Sequence, residues 1–152
     1  AHALALIRRE ILQLPGPDPD KCAVAALYHD ASETLTGDLP TPIKYYNPDI
    51  MASYKQVERV AAQRLLDMLP PELVKSYEHL ILEDDAEVLP IVKAADKLSA
   101  YIKCVEEQKA GNTEFDTAAI QTRKSLEETQ LPELQWFISH CLDAFSLNID
   151  QL

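Results

Sequence analysis

An all-helical fold follows from the punctuation and the periodicity of the 152-residue sequence. Only three glycines (Gly16, Gly37, Gly111) and ten prolines interrupt it, leaving long unbroken intervals. Within those intervals apolar residues recur every three to four positions, the spacing of one helix face, rather than alternating as a half-buried strand does. The length favours one domain over residues 1–152 with a sizeable core, and 47% apolar with 26% charged residues is ordinary for a globular protein.

The elements follow in order. Leu4, Ile7 and Ile11 mark the end of a first helix, which stops before Pro15-Gly16-Pro17-Asp18-Pro19. Asp20 can cap the next helix, expected to run to about Gly37. Asp38-Leu39-Pro40-Thr41-Pro42 cannot continue it, since both prolines lack an amide donor and constrain the residue before them, so a rigid loop is expected. Ile50, Tyr54, Val57, Ala61, Leu65 and Met68 form the apolar stripe of a long amphipathic helix. Pro70-Pro71 starts another through Tyr77 and Leu80. Residues 87–109 make a further long helix, and two more follow Gly111-Asn112, separated at Pro132. No internal repeat or linker interrupts this order.

Composition excludes several function classes. No apolar run approaches the roughly 20 residues needed to span a bilayer, and residues 1–10 do not read as a signal peptide, so a cytoplasmic protein without membrane contact is expected. Cys22, Cys104 and Cys141 are odd in number, widely spaced and set in apolar helical contexts, the pattern of reduced core residues rather than disulfides or a zinc cluster. A formal net charge of −11 disfavours binding to a nucleic acid polymer, because phosphate backbones are held by clustered Lys and Arg. A small anionic substrate remains compatible with that charge if a metal makes its site locally positive.

Tyr28-His29-Asp30-Ala31-Ser32-Glu33 concentrates the chemistry. On one helix, Glu33 lies a turn from both His29 and Asp30, so all three can converge. Imidazole with carboxylate suits a divalent first-row transition metal, leaving the second carboxylate to handle the proton of a water. The preceding Cys22-Ala23-Val24-Ala25-Ala26-Leu27 reads as a buried helix in which charge needs a partner. Lys21 is the sole Lys or Arg between Arg9 and Lys44, which favours a cation from outside the chain. Asp96, beside Ala95 on a helix with Ile91, Leu98 and Ile102, is either paired with Lys93 or Lys97 or is a ligand; alongside His29-Asp30 the ligand role is preferred. His79 and His140 fit helix-surface or hydrogen-bonded roles, and the scarcity of histidines favours one metal. Trp136, Phe137, Ile138, Cys141 and Phe145 read as core or subunit-interface packing rather than a base-stacking platform.

His29-Asp30 followed at a distance by Asp96 resembles the HD-domain metal-dependent phosphohydrolases, helical bundles with an H…HD…D ligand pattern. Together with Leu35-Thr36-Gly37-Asp38-Leu39-Pro40-Thr41-Pro42, Lys44-Tyr45 and Ala95-Asp96, the motif resembles bacterial 5′-deoxynucleotidases of the YfbR type along nearly the whole chain. The resemblance implies hydrolysis of deoxyribonucleoside 5′-monophosphates with one divalent metal, cobalt, manganese or a similar ion. It implies His29, Asp30 and Asp96 as ligands and Glu33 as general acid or base. Asp38, Leu39, Pro40 and Thr41 become the sugar- and phosphate-side loop, with Asp38 accepting from the deoxyribose 3′-hydroxyl; Asp30 and Asp96 also face the substrate. Lys44 becomes a possible phosphate contact, and a homodimer is the expected assembly.

One departure stands out. The family's first histidine ligand and an Arg-Trp substrate pair would precede Ala1, so the chain is expected to begin inside the first helix of the fold, with its N-terminal part missing. His2 satisfies the H…HD…D order, but its alignment within Ala-His-Ala-Leu argues against a ligand role. The alternatives are another one-metal HD phosphohydrolase, acting on a cyclic nucleotide or nucleotide pyrophosphate, and a non-catalytic helical interaction module.

Overall fold

Proline, asparagine and glycine set most of the helix boundaries. The computed structural model describes residues 1–40, 43 and 46–151, and among them every regular element is helical. Helix α1, His2–Leu6, continues into a π turn at Ile7–Ile11. Helix α2 spans Pro19–Tyr28 and α3 spans Glu33–Thr36. Then come α4 (Pro48–Asp67), α5 (Pro71–Ile81), α6 (Leu89–Lys109), α7 (Asp116–Glu128) and α8 (Pro132–His140), with 3₁₀ turns at Leu142–Ser146 and Ile149–Gln151. No described helix is long and apolar enough to cross a membrane.

Several boundaries have a direct chemical cause. Asp18, not Asp20, caps α2: its Oδ1 accepts from the amides of Asp20 (2.9 Å) and Lys21 (3.2 Å). Pro19 then takes the first helical position, where its missing N–H costs nothing. Asp20 lies two residues too late and its side chain meets His2 Nε2 at 3.3 Å instead. Asn47 Oδ1 accepts from Ile50 N at 2.8 Å, so α4 begins at Pro48, ahead of its apolar stripe. At the end of α6, Gly111 N bonds Gln108 O and Asn112 N bonds Glu107 O, both at 2.9 Å, a Schellman closure that needs the positive φ of 82° at Gly111.

The expected single helix from residue 20 to Gly37 is broken. Beyond Tyr28 the amides of Ala31, Glu33, Thr34 and Leu35 bond carbonyls three residues back, as in tight turns. A hydroxyl competes for one of these carbonyls: Thr34 Oγ1 donates to Ala31 O at 2.7 Å. His29 to Ser32 therefore form a turned segment between α2 and α3.

The chain divides into two compact units, residues 1–26 with 87–152 and residues 27–86. In the first, α6 packs on α7, and Leu98, Leu126, Leu134 and Ile138 join Leu4 and Cys22 in the core. Arg8 Nη1 donates to Glu133 Oε2 at 3.0 Å, and Glu133 is 0% exposed. Arg8, Pro15, Gly16 and Glu133 border a cavity of about 320 Å³ in this unit.

In the second unit α4 packs against α3 and α5 around Ala62, Leu66 and Ile81. The buried stripe of α4 is rotated from the expected one: Ala61, Ala62 and Leu66 are buried while Val57 and Met68 are exposed. Burial on α4 is thus concentrated in its second half, where Leu66 meets the Ile81 cluster. The small-residue run of α2 is likewise buried on one face only: Cys22 is buried, but Leu27 is 81% exposed.

Candidate functional site

His29 and Asp30 are brought together at the end of α2. His29 Nε2 lies 2.9 Å from Asp30 Oδ2, with side chains 27% and 55% exposed. The helix delivers them through Tyr28, whose ring meets Tyr77 of α5 edge-on, centroids 5.6 Å apart at 81°. A hydrogen bond with Tyr77, reinforced by its charge, holds the Tyr28 phenol above the ordinary range. Contrary to the expectation from the apolar run, burial does not leave Asp30 needing a cation, because more than half of its side chain reaches solvent.

Glu33 opens α3, and its amide bonds Asp30 O at 2.9 Å. The turn thus ties its backbone directly to the His-Asp pair. Gly37 N closes α3 on Glu33 O at 2.8 Å, and Gly37 adopts φ 72°, ψ 159°, a region open in practice to glycine alone. Asp38, Leu39 and Pro40 follow as irregular chain, as the two prolines require. Thr41, Pro42, Lys44 and Tyr45 lie outside the described residues. Asp96 belongs to the first unit, exposed on α6 away from the buried stripe of Ile91, Ala94 and Leu98. Its neighbour Lys97 donates to Ser125 Oγ at 2.7 Å.

The donor chemistry fits a divalent ion in part. His29 Nε2 and Asp30 Oδ2, 2.9 Å apart, are an imidazole nitrogen and a carboxylate oxygen, donor types that a divalent transition ion takes. Among the described residues no group of three or more His, Cys, Asp or Glu side chains is placed to hold a metal. Two of the other three histidines have partners that suit structural roles: His2 faces Asp20, and His140 Nδ1 bonds Trp136 O at 2.9 Å while its ring stacks on that indole. None of the three cysteines is in a disulfide: Cys22 and Cys104 are buried and Cys141 is half-buried.

Sequence spacing did not disclose Tyr54, which reaches the loop from α4: its Oη donates to Gly37 O at 2.8 Å. It reads in the sequence as one more stripe residue. The signal available was its hydroxyl, which a purely apolar contact does not need.

A turned His-Asp pair, a carboxylate at the next helix start and a Gly-Asp-Leu-Pro loop thus follow one another on a helical scaffold. Residues 1–145 match the 5′-deoxynucleotidase YfbR-like family, and the chain belongs to it. Among its relatives, a 5′-deoxynucleotidase of Shewanella oneidensis is 44% identical over 154 residues, covering 100% of this chain and 78% of the relative. One from Erwinia tasmaniensis is 47% identical over 156 residues, covering 100% and 77%. One from Vibrio atlanticus is 44% identical over 155 residues, covering 100% and 79%.

Proposed function

We propose that this chain is a metal-dependent phosphomonoesterase that hydrolyses deoxyribonucleoside 5′-monophosphates to a deoxyribonucleoside and phosphate. The observation that carries the reading is the match to the 5′-deoxynucleotidase YfbR-like family over residues 1–145. The close approach of His29 and Asp30 beside Glu33 supports it.

His29, Asp30 and Asp96 would hold one divalent transition ion, cobalt, manganese or similar. When bound, such an ion supplies Lewis-acid polarisation of a phosphoryl oxygen and acidifies a water. Glu33 takes a proton from the attacking water as the new P–O bond forms, and a proton passes to the 5′-oxygen as its bond to phosphorus breaks. Asp38 accepts from the 3′-hydroxyl, while Leu39, Pro40 and Thr41 line the sugar and phosphate side; Asp30 and Asp96 also face the substrate. Nothing here resembles a base-edge reader, so discrimination among bases is small. Free thiols suit a reducing cytoplasm, and a homodimer is the assembly the family resemblance implies.

The test is phosphate release across deoxy- and ribonucleoside 5′-monophosphates, cyclic nucleotides and nucleotide pyrophosphates, with manganese or cobalt and after chelation. Metal-dependent release from the deoxynucleoside monophosphates is expected. Preference for a cyclic nucleotide or a pyrophosphate would overturn the substrate, and full activity after chelation would overturn the metal.

A further inference from the structure

We infer that Tyr54 is a positioning residue for the sugar-side loop, acting through the carbonyl of Gly37; this rests on the role of Asp38 given above. Tyr54 stands on α4, whose start is secured by Asn47 and whose second half is buried against its own unit's core. From there its phenol crosses 17 residues of sequence to donate to Gly37 O at 2.8 Å.

The Gly37 amide bonds Glu33 O at 2.8 Å, so what is left for Tyr54 to orient is the peptide that begins at the Gly37 carbonyl. A Cβ built on Gly37 would meet nothing within 4 Å, so side-chain packing does not fix the chain there. Its orientation is set by torsion and by two hydroxyls on the one carbonyl, Tyr54 Oη and Thr36 Oγ1 at 3.0 Å. Because the peptide is planar, the direction of the Gly37 carbonyl also fixes the Asp38 amide and the line along which Asp38 departs. A phenylalanine would fill the same space beside α4. The hydroxyl is what links a rigid helix to the exposed residue that faces the 3′-hydroxyl.

The decisive experiment compares Tyr54→Phe, Asp38→Ala and the double variant on a 2′-deoxynucleoside 5′-monophosphate and its 2′,3′-dideoxy counterpart, which offers no 3′-hydroxyl. Tyr54→Phe should raise KM for the deoxy substrate about threefold to tenfold, the range one neutral hydrogen bond supplies. It should leave kcat within about twofold, leave the dideoxy substrate unaffected and add nothing in the Asp38→Ala background. Equal effects on both substrates, or effects that multiply with Asp38→Ala, overturn the inference. If Asp38→Ala itself fails to separate the two substrates, the sugar-side reading of Asp38 falls and the role of Tyr54 with it. If Asp38→Ala separates them and Tyr54→Phe does not, the role of Tyr54 alone falls. Independently of turnover, Tyr54→Phe should shift the Asp38 amide resonance while those of Ala61 and Ala62 stay in place; an unmoved Asp38 resonance also overturns it.

Discussion

Arg8→Met offers the sharpest test of how the larger unit is held together. Glu133 is fully buried, one carboxylate oxygen is bonded to Arg8 Nη1 at 3.0 Å, and the other, Oε1, has no hydrogen-bond partner among the described residues. Arg8 is 25% exposed and also donates through Nε to Pro15 O at 2.6 Å. Methionine keeps most of the stem but removes the guanidinium, leaving the buried carboxylate without its charged partner. Removing one partner of a buried pair costs about 3–5 kcal/mol, a large share of the roughly 5–15 kcal/mol that stabilises a domain. With a urea m-value of about 2 kcal/mol/M, the midpoint should fall by about 1.5–2.5 M. The fluorescence of Trp136, the single tryptophan and one turn beyond Glu133 on α8, follows this unit directly. Arg8→Met/Glu133→Leu removes both charges and should recover most of the loss. A midpoint shift under about 0.5 M, or a double variant as weak as Arg8→Met, would refute the reasoning.

Four further outcomes are expected. Gly16→Ala places its Cβ 2.6 Å from Arg8 Cδ and 2.7 Å from Nε; because Arg8 is held at both ends, stability should drop by about 1–3 kcal/mol, and an unchanged thermal midpoint would show that Arg8 swings aside freely. Asn47→Ala removes the α4 cap and should cost about 1 kcal/mol in chemical denaturation. Glu33→Ala should lose about 10²–10⁴-fold in turnover with metal content unchanged, whereas Asp30→Asn should lose metal by elemental analysis; ordinary turnover in Glu33→Ala would remove the proposed proton carrier.

The helical class and most boundaries were legible because prolines, glycines and capping side chains act locally. Pro71, Pro132 and Gly111 each terminate or start a helix through their own torsions and donors, whatever packs nearby. The break after Tyr28 was not legible, since it involves i to i−3 turns and a Thr34 hydroxyl that takes the Ala31 carbonyl, neither of which apolar spacing reports. The cap of α2 was misplaced by two residues because two aspartates flank Pro19 and spacing alone does not choose between them. Of the candidate site, the residue types and the His29-Asp30 adjacency were readable. The exposure of Asp30 was not, because an apolar run reports composition and not which side of its helix is covered.

From the sequence alone came the helical class, the punctuation and the donor types, because backbone torsion and hydrogen-bonding capacity are properties of single residues and their near neighbours. Tertiary structure decided the pairing of Arg8 with Glu133, 125 positions apart, the reach of Tyr54 to Gly37, and the rotation of α4 that exposes Val57. Helical periodicity defines faces on a cylinder. Only packing against a neighbour selects which of them is buried and which distant group its polar atoms meet.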